Sequence, residues 1–518
     1  MAAKRLSPLT LLLLAIAPPV LAAEQQAIDF SRINPADHAS DRWYLDLIDD
    51  RPAGYWHEWL KVEEGRLYTG YETYAAELQA GEKTIRRMRV EWVETARFEP
   101  ISIRVEQSNA SDTIRRTYRF TETGIDLTSE QDGREIKERL APIEVDYLTA
   151  AQEHLATSLY LSRGVESFEL RSIDPLVGMM PAVSRYEKRK DAKDLAKIVG
   201  QKQSDRGLTQ WSRSFAILPG FEMRVVADDR GEVVGLSYET EGMMRVSRLA
   251  DASVVDTEFD PPEMSHRSVV VPDRAIENLR KQRKIVYELT YDSDDEKLVP
   301  VETAQQRVEF IGPGRVRVTV DLDAEQPERE RFIDKPTDAH LAATIRVDHE
   351  DPAVRALALE AVRGHGAHDS SQKRAEACKQ FVSATMRSAS LTVGDATASE
   401  VARSRRGDCT EYSVLLAALL RANGIPSRCV NGLVYSESGF AGRRDVFVRH
   451  QWTQAWIEDE AGAGRWVDLD AAQWRYSAGH LALVVSDMGE SGIEDQLRLI
   501  PLTRGLAIKV IQMDDAKE

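Results

Sequence analysis

The chain is expected to be an α+β protein, β-rich over its first two thirds and closing in a helix-plus-sheet unit, on three observations. Residues 65 to about 135 alternate as half-buried strands do: Met88, Val90 and Trp92 share one face, then Ile101, Ile103 and Val105, then Ile114, Tyr118 and Phe120. Turn signals at Ser108-Asn109 and Gln131-Asp132-Gly133 separate these runs. Helical spacing appears within 147–162, through Leu148, Ala151, Leu155 and Leu159. It returns after Asp351-Pro352, with Val354, Leu357, Ala358 and Val362 on one face, and again over Gln372–Met386. The third observation is a strong helix former, Val414–Arg421, closed by Asn423-Gly424 and Ile425-Pro426 and followed by strand-like segments.

The remaining elements follow the same logic. Glu222–Val226 and Val233–Tyr238 read as strands, and Asp260-Pro261-Pro262 as a break, because consecutive prolines remove donors and fix an extended backbone. Lys284–Tyr291, Arg307–Ile311 and Arg315–Leu322 then form a smaller β module. Lys4 and Arg5, the apolar run Leu9–Ala17 and the small residues Val20–Ala23 have the pattern of a cleavable export signal, the apolar run being shorter than the about 20 residues that span a bilayer. The expected division is 1–23 signal peptide, 24–262 β-rich domain with some helices, 263–340 small β module and 341–518 C-terminal domain. An exported, periplasmic protein that is not an integral membrane protein is the expectation.

Apolar residues at 42% and charged residues at 30% describe a folded globular chain. The net charge of −17, with short basic runs at 86–89, 188–190 and 404–406 diluted by nearby acids, argues against nucleic acid as a partner. Three cysteines occur, at 378, 409 and 429. A Cys378–Cys429 disulfide with a free Cys409 is one reading; the one taken is that both partners are buried, unpaired thiols. No Cys-x-x-Cys pair occurs, so neither a structural zinc site nor any cofactor is called for.

Cys409 follows Arg406-Gly407-Asp408 at the start of the Val414–Arg421 helix, where unpaired N–H groups and the positive dipole end favour a thiolate. His450 lies in a β-branched and aromatic run, Val446–Trp456, on one face with Trp452, Gln454 and Trp456. Asp468 and Asp470 end a further strand, reached through the turn 461–464. A cysteine nucleophile needs a base in reach and a carboxylate to fix that base's tautomer, and these segments supply both. Alternation alone does not choose between Asp468 and Asp470.

Gly407-Asp408-Cys409-x-Glu411, the helix, Leu420-Arg421-Ala422-x-Gly424-Ile425-Pro426-Ser427-Arg428, Gly432, His450-x-Trp452-Thr453 and Trp466-Val467-x-Leu469-Asp470-Ala471 together resemble the core of the transglutaminase-like superfamily. The resemblance covers about the last third of the chain. It implies a papain-like fold, a cysteine-bearing helix packed on an antiparallel sheet that carries His and Asp, with Cys409, His450 and Asp470 as catalytic residues. The family's aspartate falls four positions after the tryptophan, which selects Asp470 and leaves Asp468 as an exposed strand residue. His480, similarly placed in relatives, is read as structural. The tryptophan that stabilises the oxyanion upstream of the cysteine in cross-linking relatives has no counterpart: Trp211 is the nearest upstream.

The expected activity is therefore that of a cysteine-dependent amidase or peptidase working through a thioester, on a protein, peptide or cell-wall peptide. Acyl transfer to amines, or a silent domain whose N-terminal sheet binds a partner, are the alternatives.

Overall fold

The computed structural model describes residues 28–515 apart from short internal stretches, the longest being 325–334 and 489–498. The segment 1–23, expected to be an export signal, lies outside the described residues.

The strands between Ser40 and Ala250 form a 14-stranded antiparallel sheet. Its neighbours are sequential hairpins except at the centre, where Ser40–Ile48 pairs with Met243–Ala250 and joins the two halves. The edges, Arg134–Leu140 and Ser167–Asp174, are connected by the helix Ala150–Ser162. The sheet rolls until its edges approach: Ile125 and Leu127 near one edge pack with Ile173 on the other, and the Tyr118 hydroxyl donates to the Pro175 carbonyl. The helix plugs the roll. Ala151 and Leu155 pack with Leu60, Leu67 and Phe98, while Tyr160 and Leu161 pack with Phe168 and Trp211.

Helical spacing from residue 147 places the helix start slightly early; Thr149 is the N-cap and forms a capping box with Gln152. A buried carboxylate completes that cap, since Glu94 accepts from the Ala151 N–H at 3.0 Å and from the Thr149 hydroxyl. Burial raises the Glu94 pKa to about 7 against these two hydrogen bonds. The folded value lies above the unfolded one, so this group's contribution is fully present below pH 4.5 and lost as pH rises through 7. Glu94→Gln keeps an acceptor for Ala151 without the charge. It is expected to stabilise the chain at pH 8 by on the order of 3 kcal/mol and to do little at pH 4. Denaturant midpoints at the two pH values check this.

The chain leaves the roll through Phe259 and Asp260, whose carboxylate pairs with Arg51 at 2.6 Å. Val269-Val270 then pairs with Val448 and Phe447 and becomes an outer strand of a 5-stranded sheet. The other strands of that sheet are Ser427–Ser436, Val446–Glu458, Gly464–Leu469 and His480–Ser486. Four helices, Pro352–Ala361, Ser371–Thr385, Ala398–Ser404 and Cys409–Ala422, build one core with this sheet. The other side carries a 4-stranded sheet of Gln282–Thr290, Gln306–Gly312, Arg315–Asp321 and Ala507–Asp515. Ile285, Tyr287, Leu289 and Val318 share a core with Leu433, Phe447 and Leu481, and the Tyr287 hydroxyl donates to the Ala478 carbonyl at 2.8 Å. No helix among the described residues is long and apolar enough to cross a membrane.

Candidate active site

The cysteine helix is apolar on all sides because it is central. From Val414 to Leu420 every side chain is fully buried, under the neighbouring helices and over the sheet. Asp408 is its N-cap, accepting from the Thr410 N–H at 2.8 Å and from the Glu411 N–H, while the Tyr412 N–H donates to the Asp408 carbonyl at 3.1 Å. The Cys409 N–H is thus the first-turn donor that the cap leaves unused. Glu411 closes the capping box by accepting from the Asp408 N–H at 2.9 Å. Burial first, then the nearby Asp408 charge, raises the Glu411 carboxyl to about 8.

Gly407 is required by this cap. A Cβ there would lie 2.2 Å from the Glu411 Cβ. Gly407→Ala is therefore expected to cost roughly 1–3 kcal/mol, read as a lower denaturation midpoint, and to displace the turn that presents Cys409.

The strand Val446–Glu458 meets this helix where, among the described residues, its edge carries no partner strand. Val269-Val270 pairs with residues 447–448 and Gly464–Leu469 with residues 453–458, which leaves residues 449–452 between them. Ser413, one turn after Cys409, shares its hydroxyl proton between the Cys409 carbonyl at 2.7 Å and the Gln451 carbonyl at 2.8 Å. Thr453 donates back to the Ser413 carbonyl at 3.0 Å. These bonds fix the helix N-terminus against the strand beside His450. Sequence reasoning passed over Ser413; its signal was a small polar residue just ahead of the apolar run Val414–Leu420.

His450 Nε2 donates to Asp470 Oδ2 at 2.7 Å, so Nδ1 is the nitrogen left to face the Cys409 thiol, which also interacts with this ring. Burial works against charge on His450, but the Asp470 charge and hydrogen bond, with a smaller contribution from Cys409, raise it to about 10. Asp470 is buried too, yet the His450 charge and the bonds from both His450 and His480 hold it below the ordinary carboxylate range. All its acceptor positions are engaged: Oδ2 also accepts from His480 Nε2 at 2.9 Å, and Oδ1 from the N–H groups of Ala472 at 2.9 Å and Gln473 at 3.0 Å. One side-chain atom from each of His450, Asp470 and His480 lies within 4.8 Å of the other two. That spacing is the spacing of a hydrogen-bonded chain, with protons between the atoms.

Asp468 differs from the expectation of an exposed strand residue: it is only 7% exposed. Its Oδ1 accepts from Trp452 Nε1 at 2.7 Å and Gln454 Nε2 at 2.8 Å. Alternation put Trp452 and Gln454 on the His450 face but could not show that their N–H groups converge on the neighbouring strand. A cavity of about 320 Å³ opens here, lined by Asp468, Asp470, Tyr476, Arg475, Glu376 and Lys379. All three cysteines are free thiols; Cys378 and Cys429 are buried, and burial raises them to about 12 and 11.

Residues 356–471, which contain the cysteine helix, the histidine strand and Asp470, match the family model of the transglutaminase-like superfamily. The C-terminal region of this chain is a transglutaminase-like domain. Among solved structures the chain is similar to a β-barrel-like protein of a domain of unknown function from Brucella abortus, at 8% identity over 41% of this chain and 96% of that one, with a TM-score of 0.31. It is also similar to a candidate cysteine protease from Cytophaga hutchinsonii, at 16% identity over 45% and 87% of the two chains, TM-score 0.26. A candidate protease from Parabacteroides distasonis shows 13% identity over 80% and 70%, TM-score 0.19. At these scores none of the three bears on the chemistry. No curated protein matches the sequence.

Proposed function

We propose that the chain is an exported cysteine-dependent amidase or peptidase, with Cys409 as nucleophile, His450 as general acid and base, and Asp470 as the group that orients His450. The observation that carries this reading is the commitment of His450 Nε2 to Asp470 at 2.7 Å, which leaves Nδ1 for the thiol at a helix N-terminus. His450 Nδ1 takes the thiol proton and the sulfur adds to an amide carbonyl, while the Cys409 N–H donates to the developing oxyanion. The carbon–nitrogen bond then breaks, and His450 delivers its Nδ1 proton to the leaving amine. Water, deprotonated by His450, attacks the thioester and releases acid and thiol. Water is favoured as acceptor over an amine because the cross-linking relatives' upstream tryptophan is missing. The placement outside the cytoplasm rests on residues 1–23, and fractionation of cells expressing the full chain tests it.

The chemistry is tested without knowing the natural substrate. Iodoacetamide at pH 7 should label Cys409 far faster than Cys378 or Cys429, because those two are buried and their thiols are raised. Equal labelling of all three would sink the reading. With a peptide library, release of amine without incorporation of a primary-amine probe is expected; incorporation with negligible release would move the assignment to acyl transfer.

A further inference from the structure

We propose that His480 is a positioning residue of the thiol site: as a neutral imidazole it donates to the Asp470 oxygen that His450 also uses, holding the carboxylate in place and weakening its pull on His450. The inference rests on the triad reading above.

Three observations carry it. The two rings converge on one atom, with Asp470 Oδ2 at 2.7 Å from His450 Nε2 and 2.9 Å from His480 Nε2. The tautomer of His480 is set at its other nitrogen, where the Ser477 backbone N–H approaches Nδ1 at 3.2 Å. A backbone N–H can only donate, so Nδ1 accepts and Nε2 carries the proton. The Ser477 hydroxyl, 3.1 Å from Nδ1, can donate as well. The Ser477 carbonyl, at 3.2 Å, could accept from Nδ1 only if that nitrogen were protonated, which would set two N–H groups against each other. Finally, the ring is 1% exposed and wedged against Trp452 and Tyr476, with centroids at 5.2 and 4.5 Å. It has no room to turn from Asp470. The titratable groups facing it are Asp470 and His450, then Asp468 and Tyr476 from the same side of the sheet.

Two donors on one carboxylate oxygen divide its charge. His480 stabilises the Asp470 anion whatever the state of His450, and thereby reduces the advantage that Asp470 gives to the imidazolium. Without that second donor, Asp470 would hold the His450 proton more tightly and could rotate on its backbone hydrogen bonds.

The test is the pH dependence of Cys409 alkylation by iodoacetamide, followed residue by residue by mass spectrometry. The wild-type chain is compared with His480→Phe, His480→Gln and His450→Ala. His480→Phe keeps a flat ring without the donor and should move the alkaline limb up by about one pH unit. His480→Gln, whose amide N–H can take the place of Nε2, should return the limb toward the wild-type position. A His480→Phe profile that coincides with wild type, with only a lower melting temperature, would reduce His480 to core filler and overturn the inference. If instead His450→Ala leaves the wild-type profile unchanged, the triad reading fails, and that outcome is separate. Should His480→Phe not fold, ¹⁵N NMR of histidine-labelled wild-type chain decides: a neutral Nε2–H tautomer at pH 7 is expected, and an Nδ1–H or doubly protonated ring overturns the inference.

Discussion

Cys409→Ala is expected to lower amide turnover by at least about a thousandfold while leaving the melting temperature close to wild type. The fold makes so clean a separation possible. Cys409 is partly exposed, and the contacts that hold its turn belong to Asp408, Glu411 and Ser413. Removing sulfur leaves the cap, the buried Val414–Leu420 run and the bonds to the histidine strand in place. Steady-state turnover with a peptide that the wild-type chain cleaves, beside a thermal melt, checks both halves. Residual activity within tenfold of wild type would remove Cys409 from the chemistry.

Asp470→Asn is expected to lower turnover by on the order of 10³–10⁴. Asp470 Oδ2 accepts two N–H groups and Oδ1 two more, so it has no place for an amide NH₂. Either the amide opposes both imidazoles, or His450 turns its other nitrogen inward and loses the tautomer that faces Cys409. The pH dependence of stability should change as well. His450 is raised from 6.5 to about 10, so its stabilisation is fully present below pH 6.5 and lost as pH rises through 10. Asp470 is depressed, so its share is present above the ordinary carboxylate range and lost in strong acid as pH falls through its folded value. Wild type should therefore lose stability between pH 7 and 10 more steeply than Asp470→Asn. Parallel melting curves across that range would contradict the imidazole–carboxylate coupling.

Several of these elements were legible in the sequence because short-range chemistry specifies them. The cysteine helix announces itself by the Val414–Arg421 run and its close at Asn423-Gly424 and Ile425-Pro426, and the observed helix is Cys409–Ala422. His450 stands on a strand, as its β-branched and aromatic neighbours require. Asp470 was beyond alternation for a physical reason: the strand ends at Leu469, and Asp470 has already turned to cap the N–H groups of Ala472 and Gln473. A rule of two says nothing about a residue past the strand's end. His480 was hidden differently, since its tautomer depends on Ser477 and its role on Asp470, ten residues away across a turn. The rolled sheet shows the same limit at larger scale. Alternation assigns faces but not partners, and nothing local joins Ser40–Ile48 to Met243–Ala250.

The strand Ala507–Asp515 has a consequence for the order in which the molecule comes into being. It completes the sheet begun at Gln282–Thr290, and that sheet backs the strands bearing the histidine and Ser427–Ser436. During synthesis the thiol, the imidazole and the carboxylate all emerge before this strand does. Until it arrives, the core between the two sheets lacks Ile508 and Val510, which pack with Ile285, Tyr287, Leu433 and Phe447. The strand lies in a core separate from that of the cysteine helix, so the backing of the histidine strand is completed only after every reactive group has been made.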